Sequence, residues 1–388
     1  MKWAALAAAV FAALYVGLDL NKLHALYYGF DNGIFLQTIA HVAHDGSAFN
    51  WAENTSHWLV HDSWILLTLV PLVKAYPYQE TLIVAQVLLI AASGVLLYQF
   101  ARTIGVASRA AALLCIAYLI SPSVQAFAYN EFSEAHFEPI LIFALAIAVA
   151  RRSLPWALVC AQLLMGVKED MALFVLWFGI AGAIWYDRRL GIAAALLAAV
   201  NAIAYNAVLL AHGTHAWEPS YGWRVLYPLQ DTAFLIEILA PFAFAPLLLG
   251  PRVLLALPLV AELALAMNRD GFPLARAGTH YTEPLIALCA VGAAIAIRKR
   301  PALATWAAAL SLLMALFFNT TVLHFGRHLY AGDPAYYARA RELVAQQRPA
   351  VFRAEDQGAW AVAAGDINAR IAGFGKALHY NKPAWNTK

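Results

Sequence analysis

The run Tyr129–Pro139, YNEFSEAHFEP, sets Glu131, Glu134, His136 and Glu138 between two long apolar stretches of a 388-residue chain in which only 13% of residues are charged. On a helical turn Glu134 and Glu138 share a face, and like charges at i, i+4 repel unless a cation or a proton offsets them. The pattern suits a general base or a cation site; an isolated acidic run also serves as a solvated loop. A second acid, Asp31, sits in FDNGIF ahead of a helical run ending near His44. It can act as a base, or only cap a turn or helix, as Asp before Asn-Gly often does. Glu53, His57, His61 and Asp62 follow, with His57 and His61 at i, i+4. Two imidazoles on one helix face can bind a metal or a phosphate, although histidines at an interface also merely solvate a loop.

The turn VKED supplies Lys168, Glu169 and Asp170. A lysine there offers a point charge to phosphate, while three charges in a tight turn also keep it out of a bilayer. Two further segments, AHGTHAWEPSYGWRVLYPL and NRDGFPLARAGTHYTEP, contribute Arg224, Arg269, Arg276, His280, Tyr281 and Glu283 among several aromatic rings. Rings with a few arginines suit sugar faces and pyrophosphate, and they equally form the interfacial belt of a membrane protein. No phosphate loop, dinucleotide fingerprint, nucleophile elbow or H-E-x-x-H is present, so nucleotide hydrolysis, dinucleotide redox chemistry and the familiar hydrolase or zinc-protease sites have no support.

The elements that must position these groups are membrane helices. Hydrophobic residues make up 62% of the chain and mean hydropathy is +0.64, outside the range of ordinary soluble domains. Apolar runs at 3–20, 80–101, 110–128, 137–150, 154–166, 171–186, 190–211, 231–249, 251–267, 284–297 and 301–323 predict about eleven transmembrane helices, some short, in an all-α polytopic fold. The first run continues into Asp19, Asn21 and Lys22 without a small-residue cleavage site and reads as a retained span.

With the N-terminus cytoplasmic, the inner connections carry Arg102, Arg109, Arg151, Arg152, Arg188, Arg189, Arg252, Arg298, Lys299 and Arg300 against one acid, Asp187. Counting the interrupted patch 59–76 as a span would reverse that bias, so it is expected to lie on the outer membrane surface within a long first loop, 21–79. All twelve histidines then fall on or near the outer face, as do the in-span acids Asp19, Glu237 and Glu262. Few basic residues remain on that face, which argues against nucleic acid. Cys115, Cys160 and Cys289 lie singly in apolar runs and read as core residues.

Residues 1–323 are expected to form the membrane domain. The tail 324–388 is expected as a small extracytoplasmic α/β appendage: a helix at 334–347, a strand at AVF and a second helix at 357–371.

The order FDNGIF, HDSWILLTLVPLVKAYPYQETLIVAQVLLIAASGVLLYQFAR, NEFSEAHFEPI and VKED resembles a family of predicted multi-pass membrane proteins described as a domain of unknown function, over roughly residues 25–290. The family's Asp-Phe-His-Pro-Glu type motif is met by Glu134 in place of its acid, Ala135 in place of the aromatic, and matching His136 and Glu138; Phe137 departs from the proline. That family is similar to the C-type (GT-C) integral-membrane glycosyltransferases. The resemblance implies a GT-C-like fold, a polyprenyl-phosphate-linked sugar donor and catalysis at the outer face of the plasma membrane.

Asp31 would then be the general base and Glu134 the second acid. Glu134, together with His136 and Glu138, would orient the acceptor or hold a divalent cation, for which His57, His61, Glu134, His136 and Glu138 are the candidate ligands. Lys168 with Arg224, Arg269 or Arg276 would stabilise the departing phosphate, and His61, Glu169, Asp170, His280 and Tyr281 would line the substrate site. Two other readings use the same residues: a non-enzymatic carrier or scaffold binding a lipid headgroup or ion, and a metal-dependent membrane hydrolase built on His57, His61 and His136.

The charge pattern makes the topology testable. Cysteines introduced near Arg189 and near Gln347 should react with an impermeant thiol reagent from opposite sides of the membrane; labelling from one side would overturn the parity.

Overall fold

The computed structural model describes residues 1–213, 222–223, 228–267, 274–275, 278–317, 334–346, 351–353 and 357–372. The chain is mostly helical. Among the described residues five helices are long and apolar enough to cross a membrane: Lys2–His24, Gln79–Thr103, Arg188–Ala211, Ala245–Leu265 and His280–Lys299. Ser108–Ile120 and Pro122–Tyr129 form a sixth if counted together. They meet at a 54° bend because Pro122 holds the preceding Ser121 in an extended conformation.

The remaining apolar runs fold as shorter pieces. Glu138–Ala150, Leu154–Met165, Asp170–Trp185 and Leu303–Phe317 are helices of 12 to 16 residues. At a rise of about 1.5 Å per residue these reach at most roughly 24 Å, short of a hydrocarbon core of about 30 Å. Run 231–249 is divided into Pro228–Leu239 and a 3-10 turn, Ala240–Phe242. The structure therefore supports several membrane helices without fixing eleven.

The chain forms two compact units. One comprises Met1–Tyr15, Val87–Asn130 and Glu134–Arg327. Within it Asp170–Trp185 and Arg188–Ala211 pack backbone to backbone. A Cβ on Gly191 would lie 2.2 Å from the Ala183 nitrogen, and one on Gly179 2.5 Å from the Ala195 nitrogen. Small residues permit this approach, as at many membrane helix pairs. Asp187 caps the second helix by accepting the Leu190 N–H at 2.9 Å, while Gln162 and Asn201 exchange amide hydrogen bonds at 2.8 and 2.9 Å. On the same helix Ile192, Leu196, Val200 and Ile203 are exposed at helical spacing, an apolar stripe suited to lipid.

The other unit comprises Val16–Gln86, Glu131–Ser133 and His328–Lys388. Helix Phe30–Asp45 is followed by an antiparallel hairpin that pairs Phe49 with Ser56 and Asn50 with Thr55, and then by the short apolar helical segment Trp64–Ala75. Helix Phe30–Asp45 closes on Gly46 at φ 78°, a left-handed cap that glycine adopts without strain.

Among the described residues, two small two-stranded sheets outside the tail, Phe49–Asn50 with Thr55–Ser56 and Gly222–Trp223 with Ala266–Met267, modify the all-α expectation for the membrane domain. In the tail, helix Pro334–Ala345 and strand Val351–Arg353 fall where expected, but the second helix, Gln357–Ala363, stops short of 371. The chain turns and returns as Arg370–Ala372, which pairs in parallel with the first strand. Tyr337, Ala340 and Val362 share a core with Leu23, Tyr28 and Ile83, so the tail residues are built into this unit. Fully buried Trp360 fits over Gly33, where a Cβ would stand 2.2 Å from the ring.

Gly191→Val should lower stability by about 1–3 kcal/mol or more, the usual penalty of overpacking, because the three nearest atoms facing it all belong to backbone. Thermal unfolding of the detergent-solubilised chain measures this, and an unchanged midpoint would refute the close packing.

Candidate functional site

In the Glu134–Arg327 portion of the first unit, the acidic run of the sequence is buried. Glu134–Phe137 form a 3-10 turn leading into helix Glu138–Ala150, whose first turn contains Pro139. The turn is therefore tighter than the α-helical turn the i, i+4 pattern implied. Glu134, His136 and Glu138 are all out of water.

Nδ1 of His136 lies 2.6 Å from Oε1 of Glu283, and both side chains are fully buried. Glu283 belongs to the first turn of helix Glu283–Lys299, where the dipole favours a carboxylate. The sequence placed it only as the acid after Tyr281; its position at a predicted span start was the available signal.

Lys168 is 6% exposed, and its ammonium stands 4.8 Å from the centre of the Tyr281 ring. The turn that carries it joins helices Leu154–Met165 and Asp170–Trp185, as the VKED spacing implied. The charges of Asp170, Glu283, Lys168 and Glu134 all act on Glu138, and those of Asp170, Lys168 and Glu169 act on Glu262. One oxygen of Glu138 and one of Glu283, Oε2 in each, has no hydrogen-bond partner among the described residues. Buried carboxylate oxygens of this kind accept a donor from a ligand or water, or hold a proton. His280 and Tyr281, at the start of the neighbouring helix, are half-buried.

Asp31 belongs to the second unit. It is exposed in the first turn of helix Phe30–Asp45, whose N-cap is Gly29 with no side-chain cap of its own. Glu131 serves that end instead: Oε1 accepts the Gly29 N–H at 2.8 Å and Oε2 accepts the Asp31 N–H at 3.1 Å. Asn32 Oδ1 accepts the Phe132 N–H at 2.6 Å, and the rings of Phe35 and Phe132 meet edge-on at 5.3 Å. Residues 131–133 thus clasp the helix end that carries Asp31. Sequence reading grouped Glu131 with its acidic neighbours and missed this role, since a cap supplied from a hundred residues away leaves no local pattern.

In the same unit Glu53 binds Nδ1 of buried His57 at 2.9 and 3.0 Å and accepts the Asn50 amide at 2.5 Å. Burial alone would raise the Glu53 carboxyl, but the His57 charge and these hydrogen bonds outweigh it and hold the group below its ordinary value. Half-buried His61 meets His57 ring to edge at 5.6 Å. Among the described residues no group of three or more His, Cys, Asp and Glu side chains is placed to hold a metal ion, which removes geometric support from the ligand set drawn from His57, His61, Glu134, His136 and Glu138. Arg224, Arg269 and Arg276 lie outside the described residues.

Residues 22–346 match the family model described as a predicted membrane protein, DUF2079. The chain belongs to this family. No curated protein matches it. The DUF2079 region takes in Asp31, the Glu131 clasp, the His136–Glu283 pair and Lys168, and it ends before the tail strands and Trp360.

Glu131→Ala should free the Gly29 and Asp31 amides. Losing hydrogen bonds to a charged group, about 1.5–3 kcal/mol, corresponds to a rise of roughly tenfold or more in their hydrogen exchange. Exchange mass spectrometry of peptides covering 29–31 reads this, and unchanged protection would mean that another group holds the helix end.

Proposed function

We propose that this DUF2079 protein transfers a sugar from a polyprenyl-phosphate donor to an acceptor outside the cytoplasm, with inversion at the anomeric carbon. The observation that carries the reading is the burial of the Lys168 ammonium in an apolar unit whose buried groups also include Glu134, the His136–Glu283 pair and Glu138. Ionisable groups removed from water inside a membrane protein are costly and mark functional sites. Resemblance to the GT-C glycosyltransferases gives the chemistry. The first and second acids of that pattern fall on Asp31 and Glu134.

In this scheme Asp31 takes the proton of the acceptor hydroxyl as its oxygen attacks sugar C1. The bond from C1 to the phosphate oxygen breaks, and polyprenyl phosphate leaves with the electron pair. Lys168, with an arginine among Arg224, Arg269 and Arg276, offsets the charge that grows on that phosphate. Glu134, with His136 and Glu138, orients the acceptor, and His61, Glu169, Asp170, His280 and Tyr281 complete the substrate contacts. The same scheme has a GT-C-like fold of about eleven spans in the plasma membrane, with the shorter helices counted, the N-terminus cytoplasmic and the tail outside.

The open Oε2 atoms of Glu138 and Glu283 favour one other reading, a non-enzymatic carrier or scaffold that accepts a lipid headgroup or an ion there.

The full chain in nanodiscs, supplied with short polyprenyl-phosphate donors of several radiolabelled hexoses, should release polyprenyl phosphate from one of them. Asp31→Asn should slow this by roughly two to four orders of magnitude, the range for loss of a general base. Donors left intact, or consumed equally by the variant, would refute the catalytic scheme.

A further inference from the structure

A cavity of about 330 Å³ opens in the second unit, within the range of small-ligand sites. Its wall is built from the second half of helix Phe30–Asp45, from Val73, Lys74 and Pro77, and from the tail turn Gly365–Asn368. The turn is held firmly. Gln37 donates to the carbonyls of Asp366 and Ala369 at 3.3 and 2.8 Å, Trp51 donates to that of Ile367 at 3.0 Å, and a Cβ on Gly365 would collide with the Pro77 carbonyl. A rigid wall is what a binding site needs and a loose surface groove lacks.

The wall carries a specific set of polar groups. Asp366 is 94% removed from water; its Oδ1 accepts the Asn368 N–H at 2.9 Å, while its Oδ2 has no partner among the described residues. Buried carboxylate oxygens are normally satisfied, so this one calls for a donor from outside the chain. The Asn368 amide beside it both donates and accepts, which suits hydroxyl groups better than an ammonium, a donor only. Lys74 and His44, both exposed, add an ammonium and an imidazole to the same cavity, groups that hold a phosphate. Ala40, Ala43 and Val73 leave the rest apolar.

We propose that this cavity binds a polyol phosphate, with the phosphate on Lys74 and His44 and a hydroxyl donated to Oδ2 of Asp366. The compound can be free or the headgroup of a glycerol phospholipid. A lipid source fits the exposure of Leu67, Leu72 and Tyr76 around Lys74, the pattern of a helix seated at a lipid boundary.

Calorimetry on the full chain in phosphatidylcholine nanodiscs, with glycerol 3-phosphate, inorganic phosphate, glycerol and phosphoethanolamine, tests the proposal. Glycerol 3-phosphate should bind at least tenfold tighter than inorganic phosphate. Asp366→Asn should remove that preference, a ten- to hundredfold effect for one hydrogen bond to a charged group, and leave phosphate binding intact. Lys74→Gln, at an exposed position, should weaken both phosphates alike. In phosphatidylglycerol nanodiscs, protection of residues 40–44 and 365–368 from hydrogen exchange, with no glycerol 3-phosphate binding in phosphatidylcholine, would assign the lipid headgroup as the ligand; binding of the free compound assigns a soluble one. Equal binding of inorganic phosphate, tighter binding of phosphoethanolamine, an unaltered Asp366→Asn, or neither binding nor protection would overturn it.

Discussion

A carboxylate taken out of water must find a donor, a counter-charge or a proton, and in a chain this apolar the available partners are few. The arrangement of helix ends follows from that constraint. Glu283 starts its helix where His136 can meet it, and Glu138 starts another within the field of Lys168. Asp19, fully buried in the first helix, sits one turn before Lys22, whose ammonium in turn lies 4.5 Å over the Tyr28 ring. Glu283 and Glu138 enter the interior at helix N-termini, where the backbone dipole and free N–H groups help to carry a carboxylate, while Asp19, near a helix C-terminus, depends on the charge of Lys22.

The clasp on helix Phe30–Asp45 solves the opposite problem. That helix begins at Gly29, which has no side chain to accept its first amides, and Glu131 supplies the missing acceptor from a distant part of the chain. A carboxylate at such a terminus satisfies two backbone donors and the positive end of the helix together. Gln79 reinforces the arrangement by donating to the carbonyls of Asn32 and Ala361, so that one buried amide joins the clasped helix to the tail.

Composition and run length made the membrane class legible, and local signals placed several elements well. The helix after Asp31 ends at Asp45, beside the expected His44, and the VKED turn lies between two helices. The bend at Ser121–Pro122 interrupts an apolar run, 110–128, whose hydropathy alone read as continuous. What stayed hidden depends on contacts across long separations: the Glu131 cap, the pairing of His136 with Glu283, and the return strand Arg370–Ala372. Each partner has an ordinary local context, so periodicity and spacing carry no trace of it.

The hydrogen bonds from Gln37 to Asp366 and Ala369 join residues 329 and 332 positions apart. At synthesis rates of about 5–20 residues per second, the partners of helix Phe30–Asp45 leave the ribosome on the order of half a minute after the helix itself. Throughout that interval Gly33 lacks the Trp360 ring and Gln37 lacks its carbonyls. The helix is thus covered only once residues 357–369 have been made, and a ribosome-bound chain stalled before residue 357 would carry a helix whose buried face, Phe35, Leu36 and Ile39 among it, has part of its cover missing.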